Sequence, residues 1–96
     1  MEIIAERRLT VDCGIHTLEA TARLGKPTLS ESGEDWFCPY EVQVGEWCKT
    51  FRLHGVDSMQ ALVLALKTLD VELEARAKEI GGQLLWFDEP FRSMLG

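Results

Sequence analysis

The chain contains little that would build a disulfide framework or cross a membrane. Among its 96 residues are only three prolines and three cysteines. Cys13, Cys38 and Cys48 form an odd and widely spaced set, which favours reduced thiols in the cytoplasm over disulfides. The longest apolar run, Ala61–Leu66, has six residues, whereas a transmembrane helix needs about 20. Charges in Met1–Arg8 interrupt any apolar signal region. The sequence therefore predicts a cytoplasmic protein with no membrane partner.

Basic residues are also in short supply. Ten Lys and Arg residues against sixteen Asp and Glu residues give a formal net charge of −6. Proteins that bind nucleic acid are expected to carry a cationic surface, so the sequence argues against nucleic acid as a partner. An acidic surface instead suits a basic protein partner. The length predicts one domain over residues 1–96, too short for a Rossmann enzyme with a separate substrate domain.

Sequence motifs for catalysis or for cofactors are absent. The chain has no G-x-G-x-x-G, no G-x-x-x-x-G-K-[ST] and no G-x-S-x-G string, which argues against a nucleotide loop and a nucleophile elbow. Cys13 and His16 are predicted to face each other across a turn, but two side chains do not make a metal site. We therefore predict no cofactor and no bound metal.

Residues 3–24 have the pattern of a β-hairpin. Apolar side chains occupy mainly odd positions before Gly14 and even positions after Ile15, and this alternation is typical of half-buried strands. A two-residue turn at Gly14 and Ile15 places Val11 opposite Leu18, with the apolar side chains of both strands on one face. Glycine at the first turn position supplies the positive φ that a type II′ turn requires.

The same pattern recurs over residues 36–54, with a turn at Gly45 and Glu46. This second hairpin places Val44 opposite Trp47. Pro39 interrupts the pattern of the first strand, since proline has no N–H to donate to a neighbouring strand. Pro39 therefore requires an edge strand, an outward-pointing nitrogen or a bulge, and its position puts this strand at risk of being the sheet edge.

Residues 58–80 are predicted to form one long helix. Asp57 is the expected N-cap, with Gln60 completing a capping box and Val56 packing onto the first turn. Gly81 and the glycine that follows it are expected to end the helix. The predicted apolar stripe consists of Val56, Met59, Leu62 or Val63, Leu66, Leu69, Leu73, Ala77 and Ile80.

The C-terminal residues 83–96 are too apolar for a free tail. We predict a short strand over 83–87 and then a docked end, with a helix as one option, packed either on this core or on another subunit. The predicted fold is therefore α+β: a four-stranded antiparallel sheet of two hairpins, with one long helix on one face. The C-terminal segment completes it, as a fifth strand in one version.

Two further features bear on partners. Leu64 and Val71 lie on a flank of the helix away from the predicted stripe, and an apolar second flank indicates that something covers it. Either the C-terminal segment or a second subunit is the predicted cover, and we favour the second subunit, in a homodimer before other oligomers. The connection over residues 25–35 is long and acidic towards its end, which fits a mobile linker as well as a functional loop.

The candidate binding residues lie on the outer face of the predicted sheet. We predict a non-enzymatic, self-associating interaction module that binds a basic protein partner. Its surface is either the outer face or the acidic loop with Trp36. The alternative is a small enzyme or ligand-binding protein that uses Cys48 with two of the outer-face residues, His54 and Glu41. A closed pocket around His54 would favour the alternative. The outer-face candidates are Arg8, Glu41, Arg52 and His54.

Three segments resemble a family of small bacterial proteins without an assigned function. The resemblance covers roughly residues 3–75 and is strongest in the strings D-W-x-C-x-Y and G-x-D-S-x-Q-A-L. It implies a bacterial cytoplasmic protein and brings no reaction, cofactor or catalytic residue. The three segments are Ile4–Leu9, Glu34–Tyr40 and Gly55–Leu62.

Overall fold

An open antiparallel sheet and one helix make up the computed structural model, which describes residues 1–95. The elements are β1 (Ile3–Asp12), β2 (Thr17–Gly25), β3 (Thr28–Leu29), β4 (Trp36–Val44), β5 (Trp47–Gly55), α1 (Ser58–Glu79), β6 (Gln83–Trp86) and β7 (Glu89–Pro90). The strand order is β5-β4-β2-β1-β6-β7. The short strand β3 pairs with the first residues of β4, on the same edge of β4 as β2. Helix α1 packs mainly across β4 and β5. The predicted α+β fold is confirmed, and the C-terminal segment adds a small hairpin to the sheet.

Both long hairpins have the predicted register. Val11 faces Leu18 in the β1–β2 hairpin, and Val44 faces Trp47 in the β4–β5 hairpin. Gly14 has a φ of 85°, in the region that glycine tolerates and that the hairpin turn requires. Since side chains alternate between the two faces of a strand, this register directs one apolar face of the sheet towards α1.

Strand β4 lies inside the sheet, so of the three options for Pro39 the edge position is wrong. Tyr40 pairs with β2 on one side and with β5 on the other. Pro39 itself lies opposite the interruption between β2 and β3, where neither strand pairs with it. A Cβ atom on Gly25 would lie 2.6 Å from Cγ of Pro39, so glycine is what lets the two strands approach. The interruption removes the need for a ladder hydrogen bond at the proline.

The thiol of Cys38 fills the same interruption. Its Sγ donates to the carbonyl oxygen of Gly25 at 3.4 Å, which gives that oxygen a partner where the strand pairing stops. Cys38 is fully buried, and burial raises the pKa of its thiol. The thiol therefore stays protonated and acts as a donor inside the sheet.

Helix α1 begins with the predicted cap. The side chain of Asp57 accepts a hydrogen bond from the backbone N–H of Gln60 at 2.7 Å. The side chain of Gln60 in turn accepts from the backbone N–H of Val56 at 2.7 Å. At the other end Ile80 is the C-cap and Gly81 has a φ of 70°, so the helix ends one residue earlier than predicted.

The buried stripe of α1 differs from the prediction in its first turns. Val56 and Met59 are 78% and 68% exposed, so placing them in the stripe was wrong, as was packing Val56 onto the first turn. The reason is the close approach of β5 to the helix: a Cβ atom on Gly55 would lie 2.6 Å from the backbone nitrogen of Ala61. Small side chains therefore face the sheet in this region. The buried helix residues are Ala61, Ala65, Leu69, Leu73 and Ala77.

The C-terminal segment packs on its own subunit and forms no helix over residues 91–95. Phe87 and Asp88 have φ values of 51° and 64° and turn the chain from β6 into β7, so the predicted strand ends at Trp86 and the helical option is wrong. The backbone N–H of Met94 then donates to Oδ1 of Asp70 at 2.8 Å. This hydrogen bond fastens the end of the chain to α1.

Candidate functional site

The face of the sheet that α1 leaves uncovered carries most of the candidate residues. Helix α1 packs on the inner face, and no helix covers the outer face within residues 1–95. The strand registers place polar and charged side chains side by side on this outer face. They include Glu6, Arg8, Thr10, Glu19, Thr21, Arg23, Glu41, Gln43, Thr50, Arg52 and His54.

An ionic network centred on Arg23 ties three strands together on this face. Arg23 donates to Glu6 at 3.0 Å, to Glu41 at 2.7 Å and to Gln43 at 2.9 Å. Burial lowers the pKa of Arg23, but the hydrogen bonds to Glu41 and Glu6 outweigh it, and the pKa is raised overall. Glu41 therefore serves as a structural partner of Arg23.

An open groove of about 660 Å³ runs beside this network. Its floor is formed by β1 and β2, and the turn between β6 and β7 forms one wall with the 83% exposed ring of Phe87. The threonine hydroxyls of the groove make no side-chain hydrogen bond to the part of the chain that the structure describes. The polar lining residues are Arg8, Thr10, Thr17, Glu19, Thr21, Arg23, Gln43 and Asp88.

Two carboxylates of the groove carry charge that no cation offsets. Neither Glu19 nor Asp88 forms an ion pair within residues 1–95. The positive charge of Arg23 is shared with Glu6 and Glu41. The groove is therefore polar, and its two arginines, Arg8 and Arg23, already have carboxylate partners outside the lining, whereas its two carboxylates have none within residues 1–95.

His54 lies at another part of the face and is held by a carboxylate. Its Nδ1 is 2.8 Å from Oδ2 of Asp35, and the other oxygen of Asp35 accepts from the hydroxyl of Ser30 at 2.5 Å. The hydrogen bond from Ser30, followed by that from His54, lowers the pKa of Asp35. An ionised carboxylate accepts only, so Nδ1 carries the proton and Nε2 points away from Asp35. These bonds also anchor the loop over residues 30–35.

The polar groups of the enzyme alternative are not gathered. Glu41 lies four residues along β4 from Phe37, the partner of His54, a separation of about 13 Å at the strand rise of ~3.3 Å per residue. Cys48 and His54 are six residues apart on β5, or about 20 Å. The side chain of His54 is 53% exposed, and it does not line the groove.

The other two candidates lie in different surroundings. Arg8 lines the groove with 86% of its side chain exposed, 3.4 Å from Glu6. Trp36 is half-buried and packs against the core, so its ring belongs mainly to the helix-facing layer. Sequence reasoning missed Asp88 and the groove itself. The facing pair Thr10 and Glu19 was a signal for its floor, whereas nothing in the sequence indicated the curl of the last hairpin.

Over residues 1–95 no group of three or more His, Cys, Asp or Glu side chains is placed to hold a metal ion. Across the turn after β1, the backbone N–H of Cys13 donates to the carbonyl of His16 at 2.9 Å. No helix in the same range is long and apolar enough to cross a membrane.

The comparisons with known proteins give one result. Neither the curated proteins nor the solved structures contain a match to the chain. The family described as Domain of unknown function (DUF6968) matches residues 5–95. This range takes in both hairpins, the helix and the C-terminal segment, and it confirms the expected membership of a family without an assigned function. The chain belongs to the DUF6968 family.

Proposed function

We propose that the protein is a non-enzymatic interaction module that binds a basic segment of a partner protein in the groove of its open sheet face. The observation that carries this proposal is that Glu19 on the floor of the groove and Asp88 on its wall both lack an ion-pair partner within residues 1–95. A lysine or arginine side chain in the groove would meet both. Their charges would steer a cationic partner towards the face before contact.

The shape and lining of the groove favour an extended peptide over a small apolar ligand. Pockets for small molecules are mostly enclosed and lined by apolar groups, whereas this groove is open and lined by Thr10, Thr17 and Thr21. Their hydroxyls both donate and accept, as a peptide backbone requires. The exposed ring of Phe87 offers a surface over which a cation or an apolar side chain packs.

A titration with a defined peptide tests this proposal. The probe is a capped peptide of alternating lysine and valine, added to ¹⁵N-labelled protein. We expect saturable amide shifts along β1 and β2 and at the β6–β7 turn. The double variant Glu19→Gln with Asp88→Gln should bind about 2- to 30-fold more weakly, because it removes two exposed charge pairs that contribute about 0.2–1 kcal/mol each.

The matched control is the double variant Glu31→Gln with Glu74→Gln. Both residues are exposed and lie outside the groove, and the change in net charge is the same. Equal weakening in both double variants would mean that net charge alone attracts the peptide. Shifts confined to α1 would place the binding surface elsewhere. Either result would overturn the proposal.

Self-association is the second part of the proposed function. Val71 on the outer flank of α1 is 65% exposed, whereas Leu64 is half-buried. We propose that this flank contacts a second copy, which would remove the exposed Val71 side chain from water. Light scattering coupled to size exclusion should give a dimer mass that returns to a monomer mass in Val71→Asp. A wild-type monomer at all concentrations would contradict this contact.

The small-enzyme alternative has one observation in its favour. Asp35 orients the imidazole of His54, and carboxylate-oriented histidines are common in acid–base catalysis. A cell that expresses His54→Ala and keeps every phenotype of the wild type would dispose of this alternative.

A further inference from the structure

A second cluster of polar side chains lies at the far end of β5 on the open face. Cζ of Arg52 is 4.4 Å from the centre of the Phe37 ring. The His54 ring lies near the same phenyl ring, with the two ring centres 6.0 Å apart and the ring planes tilted by 46°. Pro39 faces Arg52 across the strand pair. Arg52, His54 and Phe37 are called the Arg52 cluster below.

The guanidinium of Arg52 is held in place but has no acceptor. Its flat face packs on Phe37, which restricts the side chain and leaves the N–H groups at its edge free. Within residues 1–95 no carboxylate lies at ion-pair distance from Arg52, and no hydrogen bond uses its donors. A fixed guanidinium with a free edge is the geometry that binds a carboxylate through two parallel hydrogen bonds.

His54 is the third residue of the Arg52 cluster. It follows Arg52 by two residues on the same face of β5, so the two Cα atoms are about 7 Å apart at the strand rise of ~3.3 Å per residue. Asp35 holds Nδ1 of His54, which leaves Nε2 directed away from that carboxylate. His54 is therefore held in position beside Phe37, and the donors that the cluster offers to a ligand are those of the Arg52 guanidinium.

We propose that the Arg52 cluster binds a carboxylate, either that of an acidic side chain or that of a chain terminus. The local charge favours a single negative charge over a phosphate dianion, because Arg52 is the cation of the cluster, without an ion-pair partner within residues 1–95, and Asp35 lies beside His54. This inference is independent of the groove, since Arg52, His54 and Phe37 do not line it. The open face then has two separate sites, one for a basic segment in the groove and one for a carboxylate at the Arg52 cluster.

The test uses N-acetylglycylglycine as the carboxylate probe and its C-terminal amide as the neutral control. The ¹⁵N signals of the Arg52 Nε–H and of the Phe37 and His54 amides are followed at constant ionic strength. We expect saturable shifts with the acid and none with the amide. Arg52→Lys keeps the positive charge but loses the planar pair of N–H donors, and it should bind the acid about fivefold more weakly.

Matched variants make each outcome decisive. Arg92→Lys changes another exposed arginine outside both sites and should bind the probe as the wild type does. Equal affinity of Arg52→Lys and the wild type for the probe would mean that a single positive charge is sufficient. It would contradict binding through two parallel hydrogen bonds. Tighter binding of inorganic phosphate than of the acid would overturn the carboxylate assignment. The Glu19→Gln and Asp88→Gln variant should keep the probe affinity even if the groove proposal fails.

Discussion

Replacing Leu73 by alanine is expected to lower the free energy of unfolding by about 2–5 kcal/mol, the usual cost of a cavity left by a buried leucine. Leu73 has no exposed surface and belongs to the core between α1 and the sheet. Neighbours on a helix and on a hydrogen-bonded sheet cannot close in on the vacated space without breaking backbone hydrogen bonds. The loss is therefore expected in the upper half of that range.

The measurement is urea unfolding followed by circular dichroism, with Met59→Ala as the matched control. Met59 lies on the same helix and is 68% exposed, so its truncation should change stability by no more than about 0.5 kcal/mol. The periodicity of the sequence places both residues in one apolar stripe. An equal loss in the two variants would therefore support that stripe and contradict the burial described for α1.

The second large effect concerns Tyr40, the single tyrosine of the chain. Its side chain is 1% exposed, and its ring stacks on Phe51 with centres 5.1 Å apart. Burial, followed by the negative charge of Glu72, raises the pKa of Tyr40 from 10.0 to about 12. Because there is no other tyrosine, the tyrosinate absorbance reports this group alone.

A raised pKa means that folding favours the protonated phenol. The stabilisation is complete below the unfolded pKa near 10 and is lost as the pH rises through about 12. A shift of this size corresponds to about 3 kcal/mol at most. We expect an absorbance midpoint near pH 12 in the folded protein, and a midpoint near 10 in guanidinium, as for free tyrosine. A midpoint near 10 with native circular dichroism would contradict the burial of Tyr40.

The two hairpins were predictable because each had two independent signals. The alternation of apolar residues fixes which side chains share a face, and Gly14 fixes where the chain reverses. A shift of one residue would have exposed every apolar side chain of a strand, so the register of Val11 with Leu18 had no close competitor. The cap at Asp57 was equally local, since it depends on residues three positions apart.

What could not be predicted depends on contacts between distant segments. Pro39 argued for an edge strand, and only the break between β2 and β3 explains its place inside the sheet. The side of α1 that faces the sheet is set by the close approach of Gly55 to the start of the helix. The periodicity of the sequence does not indicate this contact. The groove was not predicted because one of its walls comes from Phe87 and Asp88. Both residues have a positive φ, but neither is a glycine, so no glycine marks this turn in the sequence.

The last hairpin couples the two layers of the molecule. The same short segment builds a wall of the groove at Phe87 and Asp88 and, a few residues later, is bonded to Asp70 of α1. A load that pulls on the chain terminus, such as a fused domain, is therefore transmitted both to the helix and to the binding face. A tag at the amino end avoids this path, since Met1 lies at the opposite end of β1 from the residues that pair with β6.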